Sequence, residues 1–505
     1  MVQGTSSNAG KSTLVTGFCR LFARAGYRVA PFKAQNMSNN AAVTDDGGEV
    51  GRAQAMQAAA ARVPVTVDMN PVLLKPQSDR TSQVVVLGHA RHVSDARGYY
   101  DRTTELWPVV TGALDRLRAE HDVVVIEGAG SPAEINLERY DIVNMRVARH
   151  AEAPVLLVGD IDRGGVFASL FGTVALLPAD DRARVRGFII NKFRGDPSLL
   201  DSGFVMLQER TGIPTLGVLP HLDLTGLPAE DAFEWERAGV RDSKTLITVA
   251  VARLPHVANL DEFQPLMRES LVDVRWVSTG DELGTADLIV IPGTKSTMAD
   301  LAWLRERGLA SAIVARASLG TPVFGICGGY QMLGTRVTDE DGVEGDGSIE
   351  GLGLLPVTTT FNIRKQTRRV VARLSGDSAL WRAHDVSDAL DGYEIHMGRT
   401  TVIPEATVGQ VPFVAEHGVD RTPDGCCSAD GLVVGTYVHG LLENASLRGA
   451  LLARLAMRKG ISLPNGQPVE TFDKAIDDLA DAVRDNLDCG AISRLVGLSL
   501  GGVNV

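Results

Sequence analysis

Cys327 lies where an apolar run, Pro322-Val-Phe-Gly-Ile326, gives way to Gly328-Gly-Tyr-Gln-Met-Leu-Gly334. A buried strand that stops at a thiol and resumes as a helix after paired glycines describes a tight strand-to-helix turn. Gly328 and Gly329 leave room there for a substrate carbonyl. The unpaired N–H groups and partial positive charge of the helix start favour a thiolate. Near the other end of the chain, Gly4-Thr-Ser-Ser-Asn-Ala-Gly-Lys-Ser-Thr13 places glycines, small hydroxyl residues and a lysine before an apolar helix over Leu14–Ala25. Backbone N–H groups of such a loop converge on phosphate oxygens. One polypeptide therefore carries two chemistries, thiolate attack and phosphate handling.

A thiolate needs a base, and His439 closes the apolar run Val433-Val-Gly-Thr-Tyr-Val438. Both residues then fall at the C-terminal edge of one sheet. An imidazole beside the thiol takes its proton and later returns one to a departing amine. Oxyanion donors are expected from Gly328 and from the Pro292-Gly293-Thr294 loop after the strand Leu288–Ile291. Gln331, in the helix beyond the turn, is a candidate substrate contact. A third residue supporting His439 is not fixed by the sequence. Leu441 stands two residues after the histidine, and Glu443 and Glu394 are the polar candidates. Cys426 and Cys427 read as bystanders in a polar turn.

At the phosphate site Gly10, Lys11, Ser12 and Thr13 are the expected nucleotide contacts, with Lys11 neutralising charge and Ser12 or Thr13 available to Mg²⁺. The loop is one residue longer than the G-x-x-x-x-G-K-[ST] pattern. Val123–Ile126 delivers Glu127 to a strand end, so Glu127 is the expected Mg²⁺ acid, with Glu49 as a second candidate ligand. Lys33, after Val29–Phe32, is placed to approach phosphate. Only Met1-Val2-Gln3 precede the loop, so the first strand is very short and the natural start is expected further upstream.

The elements that must hold these residues follow from periodicity and breakers. Short β-branched runs at Arg28–Phe32, Val123–Ile126, Val155–Val158 and Gly187–Ile190 alternate with helical patterns and end in residues typical of ligand-facing parallel strands. A polar stretch around 221–243 marks the boundary. A second series follows at Thr245–Ala252, Val272–Val277, Leu288–Pro292, Pro322–Ile326 and Leu432–Val438, with a helix over Met298–Arg307 and added β-rich structure over 357–403. Thr471–Leu487 is one amphipathic helix, and Leu495–Val505 reads as loose. The expected fold is α/β: a P-loop parallel-sheet domain over 1–235, a second α/β domain that carries the thiol turn over 245–450, and a helical extension and tail over 451–505. At 505 residues a single core is excluded. A formal net charge of −12 argues against non-specific nucleic-acid or anionic-membrane binding. Five cysteines without a C-x-x-C pair fit a reduced, cytoplasmic setting. No run approaches the roughly 20 apolar residues of a spanning helix. Self-association is left open.

The cysteine-then-histidine order resembles class I (triad-type) glutamine amidotransferases. The longer phosphate loop resembles that of dethiobiotin-synthetase-like ligases, where a strand-end asparagine contacts adenine, a role that falls on Asn191. Gly4–Thr13, Pro31-Phe-Lys-Ala-Gln-Asn-Met-Ser-Asn-Asn40, Asn70-Pro-Val-Leu-Leu-Lys-Pro76, Asp160-Ile-Asp-Arg-Gly-Gly-Val-Phe-Ala168 and Gly325–Gly334 together resemble the cobyric acid synthase family. The resemblance spans the chain from the loop to about residue 487. It implies ATP, Mg²⁺ and glutamine as reactants and a corrinoid polycarboxylate as substrate: adenosylcobyrinic acid a,c-diamide, amidated at the b, d, e and g carboxylates. Arg163, Lys75 and Arg80 are the cationic candidates for its carboxylates. Asp160 and Asp162 either bind metal or cap the following turn. Two rival readings stand beside this one. The first is the related cobyrinic acid a,c-diamide synthase, which lacks the Asn36–Asn40 stretch. The second is a P-loop ATPase switch with an inactive glutaminase-like domain, although Thr5 and Ser6 stand where such switches carry an extra lysine.

Overall fold

The computed structural model describes all residues except 78–79, 223–226, 228–244, 346, 387–388, 405, 464–471 and 500–505. The first sheet is built from β1 (Val2–Gly4), β2 (Val29–Phe32), β5 (Val123–Ile126), β6 (Val155–Asp160), β7 (Val185–Phe193) and β8 (Thr215–Pro220). Its order is β2-β5-β1-β6-β7-β8. All pairings are parallel, with β5 joined to β1 through the Val2–Glu127 bridge. Parallel strands buried on both faces need unbroken apolar runs, which Val-Val-Val-Ile and Val-Leu-Leu-Val supply. Helix α1 (Lys11–Arg24) follows the phosphate loop, and α2 (Arg52–Ala61) packs against it. The antiparallel neighbours β3 (Val72–Pro76) and β4 (Thr81–Val86) form the middle of a separate four-stranded sheet, flanked by Gln35–Met37 and His89–Asp95.

The second sheet uses β9 (Ile247–Ala252), β10 (Val272–Val277), β11 (Leu288–Ile291), β12 (Val323–Ile326), β15 (Cys426–Cys427) and β16 (Val433–Thr436) in the order β10-β9-β11-β12-β16-β15. Only the edge strand β15 runs antiparallel. The short helix α3 (Gly328–Leu333) follows β12. A long antiparallel hairpin, β13 (Val357–Leu374) with β14 (Leu390–Val402), is the β-rich addition that the composition of 357–403 predicts. It reaches the first domain through Lys365–Glu49 and Arg369–Asp45 ion pairs.

The chain then returns to its beginning. Helix α4 (Ala445–Lys459) covers the second sheet, whereas α5 (Phe472–Asn486) lies on α1 of the first domain. Ile476, Leu479, Ala480 and Val483 enter the first core. Arg20 and Arg24 pair with Asp473, Asp477 and Asp481 along the same face. The segment beyond residue 450 is therefore divided between the two domains. The end is less loose than its glycines suggest: α6 (Cys489–Val496) carries Leu495 and Val496, and residues 500–505 lie outside the described set. The boundary expected at 221–243 falls mostly outside it as well. Cys426 and Cys427 are buried on β15 rather than in a polar turn, because the edge strand completes the sheet beneath Pro412 and Gly409.

Candidate active sites

The turn after β12 has the geometry its sequence predicts. Cys327 holds φ 52° and ψ −107°, a left-handed conformation that a side chain adopts only where the surroundings impose it. Close packing explains the glycines that follow. A Cβ at Gly329 would lie 1.9 Å from the Ile291 carbonyl oxygen, and one at Gly328 would lie 3.1 Å from the Thr294 amide nitrogen. The backbone N–H groups after the nucleophile and the 292–294 loop are thereby pressed together beside the thiol.

His439 and Cys327 line the same cavity, where the Cys327 thiol donates to the Ile395 carbonyl at 3.6 Å. The imidazole is fixed on three sides. Its backbone exchanges hydrogen bonds with Tyr393, whose ring stacks on it at 5.3 Å, and its Nδ1 faces Glu262 Oε1 at 3.3 Å. Burial opposes the imidazolium, but the Glu262 carboxylate and Cys327 outweigh it and raise the group to about 10. The arrangement suits a thiolate–imidazolium pair.

The acid beside His439 is neither of the residues the sequence suggests. Glu443 pairs with Arg52, and Glu394 is taken by Arg368, with Gln366 also donating to it. Glu262 comes instead from the single turn Leu260–Phe263 in the loop after β9, 177 residues before the histidine. Its signal in the sequence was weak but present: Asn259-Leu-Asp-Glu262 follows a parallel strand of the same sheet, at the edge where ligand-facing residues gather. The first domain braces this turn. Leu260 N donates to Asn40 Oδ1 at 3.1 Å, Ala41 N donates to Asn259 Oδ1 at 3.0 Å, and Arg52 Nε meets Asp261 Oδ2 at 2.6 Å. Part of the Asn36–Asn40 stretch thus holds the loop that carries Glu262.

Cys327, His439, Gly293, Thr294 and Gln331 line one cavity. Thr294 Oγ1 donates to the His256 carbonyl and to Asp300. Gln331 accepts from Thr297 Oγ1 at 3.0 Å and donates to the Tyr437 hydroxyl at 3.2 Å. Both polar side chains are thus held by the protein itself, leaving the loop N–H groups of Gly293, Thr294 and Gly328 as the nearby anion donors.

At the phosphate loop, Lys11 Nζ donates to the Ser6 carbonyl at 3.0 Å and the Gly130 carbonyl at 3.3 Å. Ser12 Oγ donates to Glu127 Oε1 at 2.8 Å, and Lys33 Nζ lies 2.7 Å from the same oxygen. Gln57 of α2 donates to the other oxygen of Glu127. One hydroxyl and one carboxylate are a set that suits Mg²⁺, which usually completes its shell with phosphate and water oxygens. Thr13 is half-buried beside them. Asn191 lies against the loop: its Nδ2 donates to the Ala9 carbonyl at 3.0 Å and would sit 1.9 Å from a Cβ at Gly10, whose φ is +99°. Asn191 secures the loop backbone through its amide nitrogen.

Glu49 and Lys75 depart from their expected places. Glu49 is buried between Lys75, at 2.9 Å, and Lys365. Burial alone would raise this carboxyl, yet the two lysines hold it well below its usual range, so its charge is already spent on ammonium groups. Lys75 lines the Cys327 cavity instead of an open corrinoid surface. Arg163 is exposed and 3.7 Å from Asp160, and Arg80 is exposed before β4. Asp160 accepts from the Asp162 amide at 2.9 Å and faces Lys192 at 3.1 Å, which favours the turn-capping alternative.

Residues 1–231 match the CobQ/CobB/MinD/ParA nucleotide binding domain, and residues 248–447 match the CobB/CobQ-like glutamine amidotransferase domain. A cobyric acid synthase of Sorangium cellulosum is 52% identical over 99% of this chain and 98% of its own length. The chain belongs to the cobyric acid synthase family. The cobyric acid synthase of Chloroflexus aurantiacus is 48% identical over 98% of both chains, and the probable one of Methanosarcina mazei is 47% identical over 99% of both. A solved glutamine amidotransferase covers 41% of this chain and 98% of its own at 20% identity, with a TM-score of 0.31, which is too low to carry an argument. Family membership makes the chain a glutamine-dependent amidating ligase of cobalamin biosynthesis with a nucleotide-binding domain. No helix among the described residues is long and apolar enough to cross a membrane.

Proposed function

We propose that this chain converts adenosylcobyrinic acid a,c-diamide to adenosylcobyric acid by amidating the b, d, e and g carboxylates, with ATP as the energy source and glutamine as the nitrogen source. The observation that carries the reading is similarity to cobyric acid synthases along the full length, across both domains at once.

At the thiol site the Cys327 thiolate attacks the glutamine carboxamide carbon. The oxyanion is held by N–H groups of Gly328 and the 293–294 loop, and the His439 imidazolium gives its proton to the departing ammonia. His439, now neutral, draws a proton from the water that cleaves the thioester, releasing glutamate and restoring the pair. Glu262 is the positioning residue for His439, keeping Nδ1 oriented and the imidazolium stabilised. At the phosphate loop the corrinoid carboxylate attacks the γ-phosphorus of ATP and ADP leaves. Ammonia then displaces phosphate from the acyl phosphate and gives the carboxamide. Lys11 and the N–H groups of the loop hold the phosphates. Ser12 and Glu127 would hold Mg²⁺, which neutralises phosphate charge. Arg163 and Arg80 are the exposed cations that would meet the carboxylates, and the setting is cytoplasmic. Incubation with glutamine, ATP and Mg²⁺ tests the reading by the product formed. Cobyric acid from the a,c-diamide supports it, whereas amidation of cobyrinic acid at a and c alone refutes it.

A further inference from the structure

The cavity at Cys327 holds more positive than negative charge. Lys75, Lys295 and Lys365 project into the same region as Glu49 and Glu344. Glu49 is shared by Lys75 and Lys365, which also donates to Gln83. Lys295 is nine-tenths buried, lines the cavity, and has no side-chain hydrogen bond or ion pair among the described residues. Burial, with the like charge of Lys75 added, lowers its proton affinity. Glu344 is half-buried at the same cavity, where its Oε2 accepts the Thr297 amide at 2.7 Å. Loss of water pushes Glu344 up to about 7. Lys295 and Glu344 feel one another's charge across the cavity, but no ion pair within 4 Å joins them among the described residues, so each keeps room for an opposite charge brought by a ligand. Both line the cavity that holds the nucleophile, and Phe361 and Ile395 add apolar lining to it.

We infer that Lys295 and Glu344 recognise the α-carboxylate and α-ammonium of glutamine, which makes this cavity a subsite for a free zwitterionic amino acid and sets the nitrogen-donor specificity of the enzyme. The inference rests on the reading that Cys327 attacks glutamine. Each end of the substrate meets a group of opposite charge that no ion pair already holds, and the two methylenes reach past the apolar lining to place the carboxamide at Cys327. Primary amides that lack either charge leave one buried group unmatched and are rejected.

Two truncated amides separate the charges: 4-aminobutanamide lacks the carboxylate and glutaramate lacks the ammonium. Ammonia release by the full-length enzyme is measured as kcat/KM for glutamine and for each analogue. In Lys295→Met the preference for glutamine over 4-aminobutanamide should fall about 10- to 100-fold, the span expected of one buried charge-assisted bond, while the preference over glutaramate holds. Glu344→Gln should show the opposite pattern, and Lys295→Arg should keep most of the wild-type preference. An undiminished preference over 4-aminobutanamide in Lys295→Met, or equal loss against both analogues, overturns the assignment. Should Lys295→Met fail to fold, Glu344→Gln decides through glutaramate, and an unchanged ratio there is equally fatal. A wild-type enzyme that releases no ammonia from glutamine would instead refute the glutaminase reading itself.

Discussion

Glu262→Gln removes the carboxylate opposite His439 Nδ1 while keeping its shape. The His439 imidazolium is raised from its ordinary 6.5 to about 10 although burial works against it. That rise corresponds to roughly 5 kcal/mol of preference for the charged ring. Glu262 and Cys327 are its two sources, so the carboxylate's part is of order 2 to 3 kcal/mol. Losing it should reduce the thiolate–imidazolium population and lower glutamine-dependent kcat/KM about 30- to 150-fold. The sign of the pH effect follows. Because the folded-state value is raised, the imidazolium and the stability it brings are fully present below pH 6.5 and are lost only as pH rises through about 10. In Glu262→Gln the basic limb should move down toward neutrality. The assay is glutaminase kcat/KM between pH 6 and 10.5, with Glu443→Gln and Glu394→Gln as comparisons that should leave the limb in place. A Glu262→Gln enzyme within twofold of wild type, with its basic limb unmoved, would refute the assignment.

Cys327→Ala should abolish glutamine-dependent amidation while ammonium salts still support it, and loss of both would break the ammonia-transfer scheme. Lys11→Ala should stop amidation from either nitrogen source, so undiminished ammonium-driven turnover would show that the phosphate loop does not energise the substrate. Gly329→Ala drives a Cβ to 1.9 Å from the Ile291 carbonyl oxygen, so the turn must shift. Overpacking of this kind costs about 1 to 3 kcal/mol, visible as a lowered urea midpoint together with lost glutaminase activity. An unchanged midpoint with full activity would contradict the packing described for the turn.

The two parallel sheets, the strand-to-helix thiol turn and the Ser12–Glu127 pair were legible because each depends on local sequence: an apolar run, a breaker and a polar residue at the strand end. Glu262 was not, because its role comes from the approach of the loop after β9 to His439, a contact between residues 177 positions apart. Glu49 and Lys75 were misplaced for a related reason. A buried acid and a buried lysine look like ligand-binding residues in sequence, and only the arrival of Lys365 on the long hairpin shows that they neutralise one another. The division of the final helices between domains also escaped notice. The amphipathic pattern of α5 shows that one face must be covered, and the acidic row Asp473, Asp477 and Asp481 acquires a partner only when Arg20 and Arg24 of α1 come to lie beneath it.

In the proposed mechanism, nitrogen freed at Cys327 is built into the corrinoid at the nucleotide site of the same chain. Glutamine labelled with ¹⁵N at the amide, supplied with ATP, Mg²⁺ and the a,c-diamide, tests this through the mass of the corrinoid product. The account predicts four labelled nitrogens in the product, and a product with none, or with label at only two new amides, would contradict it.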